Sequence, residues 1–268
     1  MIIQNNGVEL SLDYKSDTQR DFSYNIGGNI TYIQNEVRDS PYEVLTTGAA
    51  QGSGQSGATI NGYINNEPIG AFYMLEFDGI GADGQNVFRD TNGDGEILDN
   101  DRRVVGSAIP NLIYAFYMNF NYKNFDLGLN FNGVAGNEVY NHTTMSLFSK
   151  AQLSRSNNTT DFAIQYPNES LSNANTVSTR YLENGSFLRL NNATLAYNLS
   201  SDKIGLGNAF QNLRISLTGQ NLFVLTDYSG YDPEVNTGSA SGEIQTFGID
   251  RFTYPRARTF LLGLNATF

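Results

Sequence analysis

The residues with the clearest capacity for chemistry lie in an acidic stretch, DTNGDGEI, at residues 90–97. Asp90, Asn92 and Asp94 supply side-chain oxygens at alternate positions, glycine follows at the sixth place, and Asp101 stands at the twelfth. A calcium loop requires oxygen ligands at its first, third and fifth positions, a glycine at the sixth, a backbone carbonyl at the seventh and a carboxylate at the twelfth. The spacing therefore predicts one Ca²⁺ held by Asp90, Asn92, Asp94, the carbonyl of Glu96 and Asp101.

A second interpretation of this stretch stays open. Asp101 is shorter than the glutamate that usually closes a calcium loop, and no flanking helices are evident in the sequence. The stretch could equally be a solvated acidic turn, in which the glycines only permit positive φ angles.

Catalytic chemistry is not indicated elsewhere. His142 is the single histidine and lies in the polar run YNHTT without a partner pattern, so we expect a loop residue and neither a zinc ligand nor a general base. The chain has no cysteine, which excludes thiolate ligands and cysteine nucleophiles. The remaining carboxylates are typical of solvated loops. We predict that the chain is not an enzyme.

Charge and hydropathy exclude several partners and locations. The 268 residues carry a formal net charge of -11, whereas nucleic acids and anionic membrane surfaces are bound by basic patches. No apolar run reaches the about 18 residues of a membrane-spanning helix. The first residues, MIIQNNGVEL, lack the features of a secretion signal, so we expect either that missing upstream sequence handles export or that the protein stays inside the cell.

The elements that must position these residues are strands. The chain has 27 Gly, 16 Tyr and 17 Phe but only 6 Pro, which favours an all-β fold. Apolar and polar residues alternate with a period of two, which is typical of strands with one apolar face. Seven segments carry this alternation, at about 8–15, 22–32, 112–122, 125–131, 186–199, 213–220 and 259–268. Arg189 interrupts the apolar face near one end of the fifth segment, and we expect that end to lie above the bilayer. The last segment ends on the aromatic Phe268.

The connections between these segments alternate in length. Short turns are predicted at 16–20, 123–124 and 200–212, and long Gly-, Ser-, Asn- and Asp-rich loops at 39–110, 135–185 and 224–258. Short periplasmic turns that alternate with long external loops are typical of outer-membrane barrels. We therefore predict an antiparallel transmembrane β-barrel segment; a soluble β-sandwich is the alternative. Because bacterial single-chain barrels close with an even number of strands, seven strands require further strands from a larger protein.

Several motifs resemble one family. The segment DTNGDGEILDNDRRVVGSAIPNLIYAFYMNFNYKNFDLGLNFNGVAGNEVYN resembles a signature region of the SusC/RagA family of TonB-linked outer-membrane transporters. The later segments SFLRLNNATLAYNLS, LRISLTGQNLFVLTDYSGYDPEVN and YPRARTFLLGLNATF resemble the last three strands of that family, in the expected order. The resemblance implies that residues 1–268 form the C-terminal part of a larger barrel, without its plug and its N-terminal strands.

The resemblance also implies a function. Family members import large nutrients, most often oligosaccharides and sometimes peptides, across the outer membrane; a SusD-like lipoprotein covers the external face, and TonB acts through the N-terminal part that is missing here. Outer-membrane lipid would surround the barrel. The alternative is a structural or adhesin-type barrel without transport. Phe72, Tyr73 and Tyr140 could stack on sugar rings, although packing is the commoner role of such aromatic residues, and no substrate-binding residue is assigned.

Overall fold

The computed structural model describes residues 1–17, 20–50, 58–200, 212–235 and 245–267, without the side chain of Ser200. In these residues the chain forms fifteen strands and five short helical segments. The strands are β1 Ile2–Lys15, β2 Phe22–Arg38, β3 Val44–Ala49, β4 Thr59–Ile64, β5 Ala71–Met74, β6 Phe77–Ile80, β7 Asn86–Phe88, β8 Arg103–Ser107, β9 Leu112–Tyr122, β10 Phe125–Ala135, β11 Glu138–Tyr140, β12 Leu182–Asn184, β13 Phe187–Ser200, β14 Asn212–Thr226 and β15 Thr259–Thr267. The helical segments are Asp99–Asp101, Thr144–Phe148, Lys150–Arg155, Asp161–Ile164 and Thr179–Tyr181. None of these helices is long and apolar enough to cross a membrane.

The largest sheet has seven strands in the order β1, β2, β9, β10, β13, β14, β15, and every neighbouring pair is antiparallel. We call this sheet the wall. Its strands have between 9 and 17 residues, enough for the about 9 to 11 residues of a transmembrane strand. All seven predicted strands are confirmed, although β1 begins earlier and β2 ends later than the alternation indicated. Phe268 and the turn residues 201–211 lie outside the described residues.

The register of the wall gathers the apolar side chains on one face. Leu10 is opposite Ile30, and Ile30 is opposite Tyr114, so apolar positions continue from strand to strand. Because directly opposed residues point to the same side of a sheet, these rows form one apolar surface. Much of it is exposed: Leu262 in β15 keeps 73% of its surface accessible. A row of this kind fits the lipid-facing side of a barrel.

Irregularities in the wall lie where the alternation breaks. The pairing of β13 with both neighbours shifts between Leu190 and Asn192, which leaves Asn191 as a bulge. Asn221 in β14, on the facing strand, has a positive φ of 52°. Bulges of this kind re-aim side chains beside a functional or structural junction. The interruption at Arg189 in the sequence is thus accompanied by a local change of register, near the end of the wall at which residues 136–186 and 227–258 join it.

The long connections predicted as loops contain strands and short helical segments of their own. We call the described residues within 39–111, 136–186 and 227–258 the loop body. It contains a four-stranded sheet in the order β3, β4, β5, β8 and two small sheets, β6 with β7 and β11 with β12. Because the wall strands are antiparallel and follow the chain order, all three connections leave from the same end of the wall.

The loop body contains the hydrophobic core of the molecule. Its buried members come from all three connections: Ala50, Ile60, Phe72, Met74, Ala108, Tyr140, Met145, Val177, Tyr181 and Ile249. Polar contacts also join distant parts of the chain, since the Asn61 amide donates to the Phe247 carbonyl at 3.2 Å and the Tyr63 hydroxyl to the Gln245 carbonyl at 2.8 Å. The three connections therefore fold as one packed unit at the end of the wall.

Candidate functional site

The face of the wall opposite the apolar rows is polar and hydrogen-bonded across strands. Asp126 in β10 accepts hydrogen bonds from the Asn121 amide at 2.7 Å and the Asn198 amide at 2.8 Å, and it forms an ion pair with Arg214. On β9, the Tyr117 hydroxyl donates to Asp13 two strands away, at 2.5 Å. It passes over Gly27 in β2, the strand between them, where a side chain would collide with both groups. Such a face is typical of the interior of a transport barrel.

A buried ion network joins the wall to the third connection. The Arg189 guanidinium lies 2.7 Å from the Asp232 carboxylate and 2.9 Å from Glu234, and Arg256 contacts the same two carboxylates at 3.5 and 3.1 Å. The side chains of Arg189 and Asp232 are almost fully buried. Because a buried charge is tolerated only when it is paired, this network fixes the third connection to β13 just before the bulge.

A second buried ion pair lies inside the loop body. The two terminal nitrogens of Arg180 contact the two carboxylate oxygens of Glu169 at 2.7 and 2.8 Å, and both side chains are at least 97% buried. Four aromatic rings surround the guanidinium carbon at 5.2 to 5.5 Å from their centroids: Phe77, Phe162, Tyr166 and Tyr181. Burial raises the pKa of the Tyr181 hydroxyl to about 12, so this ring stays uncharged at neutral pH.

A cavity opens beside this cluster, between the second and third connections. It has a volume of about 850 Å³ and is lined by polar and aromatic side chains of both connections. The rings of Phe148, Phe162, Tyr166 and Tyr231 contribute, together with the carboxylates of Asp161, Glu183 and Asp250. The sequence alone does not indicate this site, because its lining residues are spread over more than 100 positions and share no regular spacing.

The acidic stretch forms a tight loop of turns held by its own side chains. Asp90 accepts hydrogen bonds from the backbone N–H groups of Gly93 and Gly95, at 2.6 and 2.8 Å. Asp94 accepts from the N–H of Glu96 at 2.9 Å. Both glycines have positive φ angles, of 77° and 86°, as the sequence predicted for either interpretation.

Asp101, the twelfth residue of the predicted calcium loop, is directed inward. Its two carboxylate oxygens accept from the backbone N–H groups of Leu98 and Thr91, at 2.9 and 2.8 Å, and these donors hold the pKa of Asp101 below its usual range. In the described chain no group of three or more Asp, Glu, His or Cys is placed to hold a metal ion. Asp90, Asn92 and Asp94 share one exposed turn. The calcium loop of Asp90, Asn92, Asp94, the Glu96 carbonyl and Asp101 stays a prediction.

The other residues named as candidates from the sequence mostly pack against neighbouring protein groups. Phe72 and Tyr140 are completely buried in the core of the loop body, so the hypothesis that they stack on sugars is wrong for these two rings. Tyr73 is covered by the Arg102 guanidinium, 5.0 Å from the ring centroid. His142 lies in the second connection, as predicted, but it is buried; its Nδ1 is 3.2 Å from the Ser146 hydroxyl and its ring packs edge-on against Phe252.

Comparison with known proteins shows similarity to TonB-dependent receptors. No family model matches it. A TonB-dependent receptor of Formosa agariphila is 30% identical over 296 residues, which cover 99% of this chain and 29% of the receptor. The TonB-dependent receptor SusC of Bacteroides thetaiotaomicron is also 30% identical over 296 residues, covering 99% of this chain and 26% of SusC. The chain thus spans less than a third of the length of these relatives.

Solved structures give the same fold. The RagAB peptide transporter matches with a TM-score of 0.79 and 21% identity, over 99% of this chain and 29% of that chain. The RagAB peptide importer in the "open-open" state matches with a TM-score of 0.78 and 22% identity over the same shares. Wall and loop body together therefore define a segment of an outer-membrane-type β-barrel. The chain belongs to the SusC/RagA family of TonB-dependent receptors, whose members are not enzymes.

Proposed function

We propose that the protein to which this chain belongs imports large nutrients across the outer membrane with energy delivered through TonB. The observation that carries this proposal is the similarity to TonB-dependent receptors along 99% of the chain. The apolar rows of the wall support a location in the outer membrane, because they need lipid to cover them. Contact with TonB would be made by parts of the protein outside this sequence.

The two faces of the wall support transport over a purely structural barrel. The polar face carries charged and amide groups that are paired across strands, such as Asp126 with Arg214. A barrel interior filled with packed apolar side chains would not need such groups. A water-filled lumen through which solutes move is lined by polar and charged groups of this kind. An adhesin would be expected to present a flat or protruding specific surface outward, whereas the loop body has a cavity lined by residues of two connections.

A SusD-like lipoprotein is the partner we propose for the external face, and an oligosaccharide or a peptide is the proposed cargo. The support is the relationship to SusC and the fold shared with the RagAB peptide importer. The loop body offers a folded platform for such a partner, since its three connections share one core.

Uptake separates import from the adhesin alternative. A strain that lacks the full-length protein should fail to accumulate a labelled oligosaccharide or peptide that the parent strain accumulates. A second strain with intact receptor but without TonB should fail in the same way, because import is energy-coupled. Accumulation that persists in both strains would overturn the import proposal, and loss of surface adhesion alone would favour the adhesin.

The partner is tested by co-purification. The full-length protein with an affinity tag, extracted from the outer membrane in mild detergent, should retain a lipoprotein in about equimolar amount. A matched preparation that carries Phe72→Ala in the loop body core should lose that partner while the barrel is still recovered. Recovery of the receptor alone from wild-type membranes would count against the lipoprotein.

A further inference from the structure

The bulge in β13 decides on which face of the wall Arg189 lies. On one side of the bulge Leu195 belongs to the apolar row, and an unbroken alternation would put Arg189, an even number of positions away, in the same row. The extra residue Asn191 shifts the register, so that Arg189 is opposite Asn132 of β10. Asn132 shares its face with Asp126, because β10 pairs with β9 without a break. Arg189 therefore points to the polar face, which is the interior of the barrel.

The third connection meets Arg189 on this polar face. The guanidinium lies 2.7 Å from Asp232 and 2.9 Å from Glu234, and the Glu234 backbone N–H donates to the Asp232 carboxylate at 2.9 Å. Arg256, near the other end of the connection, contacts both carboxylates. Since Arg189 projects inward from the wall, these contacts place both ends of the connection on the inner side of the wall.

A cavity of about 470 Å³ lies between the wall and the third connection. Ala115 of β9 and Val134 of β10 line it from the wall, and the register of the two strands puts both residues on the polar face. Pro233 and Phe247 line it from the third connection. This connection leaves β14 and returns to β15, yet it extends past β13 and β10 as far as β9.

The third connection is also bound to the other two connections. The Asn61 amide donates to the Phe247 carbonyl at 3.2 Å, and the Phe247 backbone N–H donates to the Asn61 side-chain oxygen at 3.2 Å. The Tyr140 N–H donates to the Gly248 carbonyl at 2.8 Å, and the Asp250 N–H donates to the Tyr140 carbonyl at 3.0 Å. Contacts with the wall and with both other connections therefore hold this segment in one defined position.

We propose that residues 228–235 and 245–256, which we call the strap, narrow the external mouth of the barrel and limit the size of the molecules that enter its lumen. The inference rests on the proposed import function and adds the element that selects cargo by size. A pore discriminates by the width of its narrowest part, so a segment fixed across the mouth excludes molecules that a free loop would admit. Arg189 is a positioning residue, because it acts through Asp232 and Glu234.

Entry past the strap is measured with thiol reagents of graded size on the full-length protein purified in detergent. Ala115→Cys places one thiol on the polar face beneath the strap, with any cysteine outside this sequence replaced by serine. N-Ethylmaleimide reports the access of a small molecule, and maleimides that carry polyethylene glycol chains of increasing length report the size limit. In the parent protein N-ethylmaleimide should react, and the rate should fall steeply as the polymer chain lengthens.

Release of the strap should raise this size limit. Arg189→Met combined with Arg256→Met removes both cations of the network, and Asn61→Ala removes the bonds to Phe247. In each variant the longest polymer reagent should react with the Ala115→Cys thiol about tenfold faster or more, because the strap no longer covers it. The rate of N-ethylmaleimide should stay within about twofold, since a small molecule already passes.

Matched controls separate release of the strap from general damage. Arg214→Met breaks an ion pair of the wall outside the strap and should leave every rate unchanged. Asp78→Cys carries the thiol on an exposed residue of the first connection, and each reagent should label it at the same rate in the parent and in the variants. Heat-modifiable migration on gels confirms that the barrel is intact in each preparation.

The strap is overturned if the longest reagent labels the Ala115→Cys thiol at the same rate in the parent and in the two release variants, or if Arg214→Met acts as they do. An equal rise for N-ethylmaleimide and for the longest reagent also contradicts it, because that result indicates local unfolding without size selection. These measurements involve neither cargo nor TonB. A negative result would therefore discard the size limit and leave import to the uptake experiment, whereas failed uptake would discard import and leave the strap.

Discussion

The wall and the loop body belong to the same chain but differ in the exposure of their apolar side chains. In the wall, Leu262 in β15 is 73% exposed, and its neighbours in the same row are exposed with it. In the loop body, Phe72 is completely buried, and the hydrophobic core is made of residues from three connections. In the proposed outer-membrane location lipid covers the first surface, whereas protein covers the second.

This difference separates two kinds of stability in one molecule. The wall is held by backbone pairing between strands, and rings on its apolar face pack only against neighbours in the sheet, as Phe116 does on Phe131 with 4.5 Å between centroids. The loop body resembles a soluble domain, in which removal of a buried side chain leaves a cavity. Mutations should therefore damage one region without the other, and the predictions below compare the two.

The largest effect is expected from the core of the loop body. Phe72→Ala should destabilise this region by about 3–5 kcal/mol, because it removes a fully buried ring. Limited proteolysis of the full-length protein in membranes should then cut the three connections much faster, while the barrel keeps its heat-modifiable migration on gels.

The matched control for this change is Phe260→Ala, which removes an exposed ring from the wall. It should leave proteolysis of the connections at the wild-type rate. Equal cutting in the two variants would show that the wall and the loop body do not differ as described.

The junction between the two regions should be nearly as sensitive. Arg189→Met leaves the buried Asp232 and the half-buried Glu234 with Arg256 as their remaining ion-pair partner. The loss of one member of a buried ion pair costs about 3–5 kcal/mol in general. Protease should cut selectively within 227–258, since this connection loses its attachment to β13. Arg214→Met, which breaks a more exposed pair in the wall, should have a much smaller effect; similar cutting in both variants would contradict the role of the network.

The next effect concerns the two faces of one wall strand. Leu217 lies in the apolar row of β14, and Thr218, the next residue, points to the polar face, where its hydroxyl contacts Thr194 at 2.8 Å. Leu217→Arg should destabilise the barrel by about 2–4 kcal/mol if the side chain faces lipid near the bilayer centre. Thr218→Arg should be far milder. Denaturant unfolding in liposomes measures both, and an equal or reversed order would show that the faces are assigned wrongly.

The wall was predictable from the sequence, and the loop body was not, for a physical reason. In a strand with an apolar environment on one side and a polar one on the other, apolar residues recur at every second position. This pattern lies within the strand itself, so it can be recognised without knowing which strands pair with it. The core of the loop body is made by contacts such as that between Asn61 and Phe247, which are 186 residues apart and leave no periodic trace. For this reason the sequence alone admits Phe72 and Tyr140 as candidate ligand contacts, although both rings pack in the core of the loop body.

The acidic stretch was predictable only in part. The positive φ angles at Gly93 and Gly95 follow from glycine itself, and the positions of Asp90 and Asp94 follow from short-range turns. The inward direction of Asp101 depends on the backbone of Leu98 and Thr91, which no spacing rule anticipates. The pKa of Asp101 is lower in the folded loop than in the unfolded chain. Its carboxylate therefore stabilises the folded loop at pH values above the unfolded-state pKa, and this stabilisation is lost as the pH falls through the folded-state pKa.

The smallest effect is expected at this stretch, if it binds calcium as the spacing predicts. Asp90→Ala combined with Asp94→Ala should speed protease cutting between Asp83 and Gly106, and a chelator should have the same effect on the parent but none on the double variant. At free calcium of about ten times the dissociation constant, the loss would be about 1.4 kcal/mol. Asp78→Ala, an exposed aspartate outside the stretch, serves as the control. Unchanged cutting with chelator and no calcium by elemental analysis would leave a plain acidic turn.

The assignment of the two faces of the wall is tested most directly by spin labels along β14. Single cysteines at each position from Leu213 to Thr218 of the full-length protein, labelled and reconstituted in liposomes, report contact with lipid-soluble oxygen and with a water-soluble nickel chelate. We predict a period of two: oxygen should reach the labels at 213, 215 and 217 preferentially, and the labels at 214, 216 and 218 should be shielded from lipid. Equal oxygen accessibility at all six positions would contradict a lipid-facing wall and with it the barrel on which the proposed import depends.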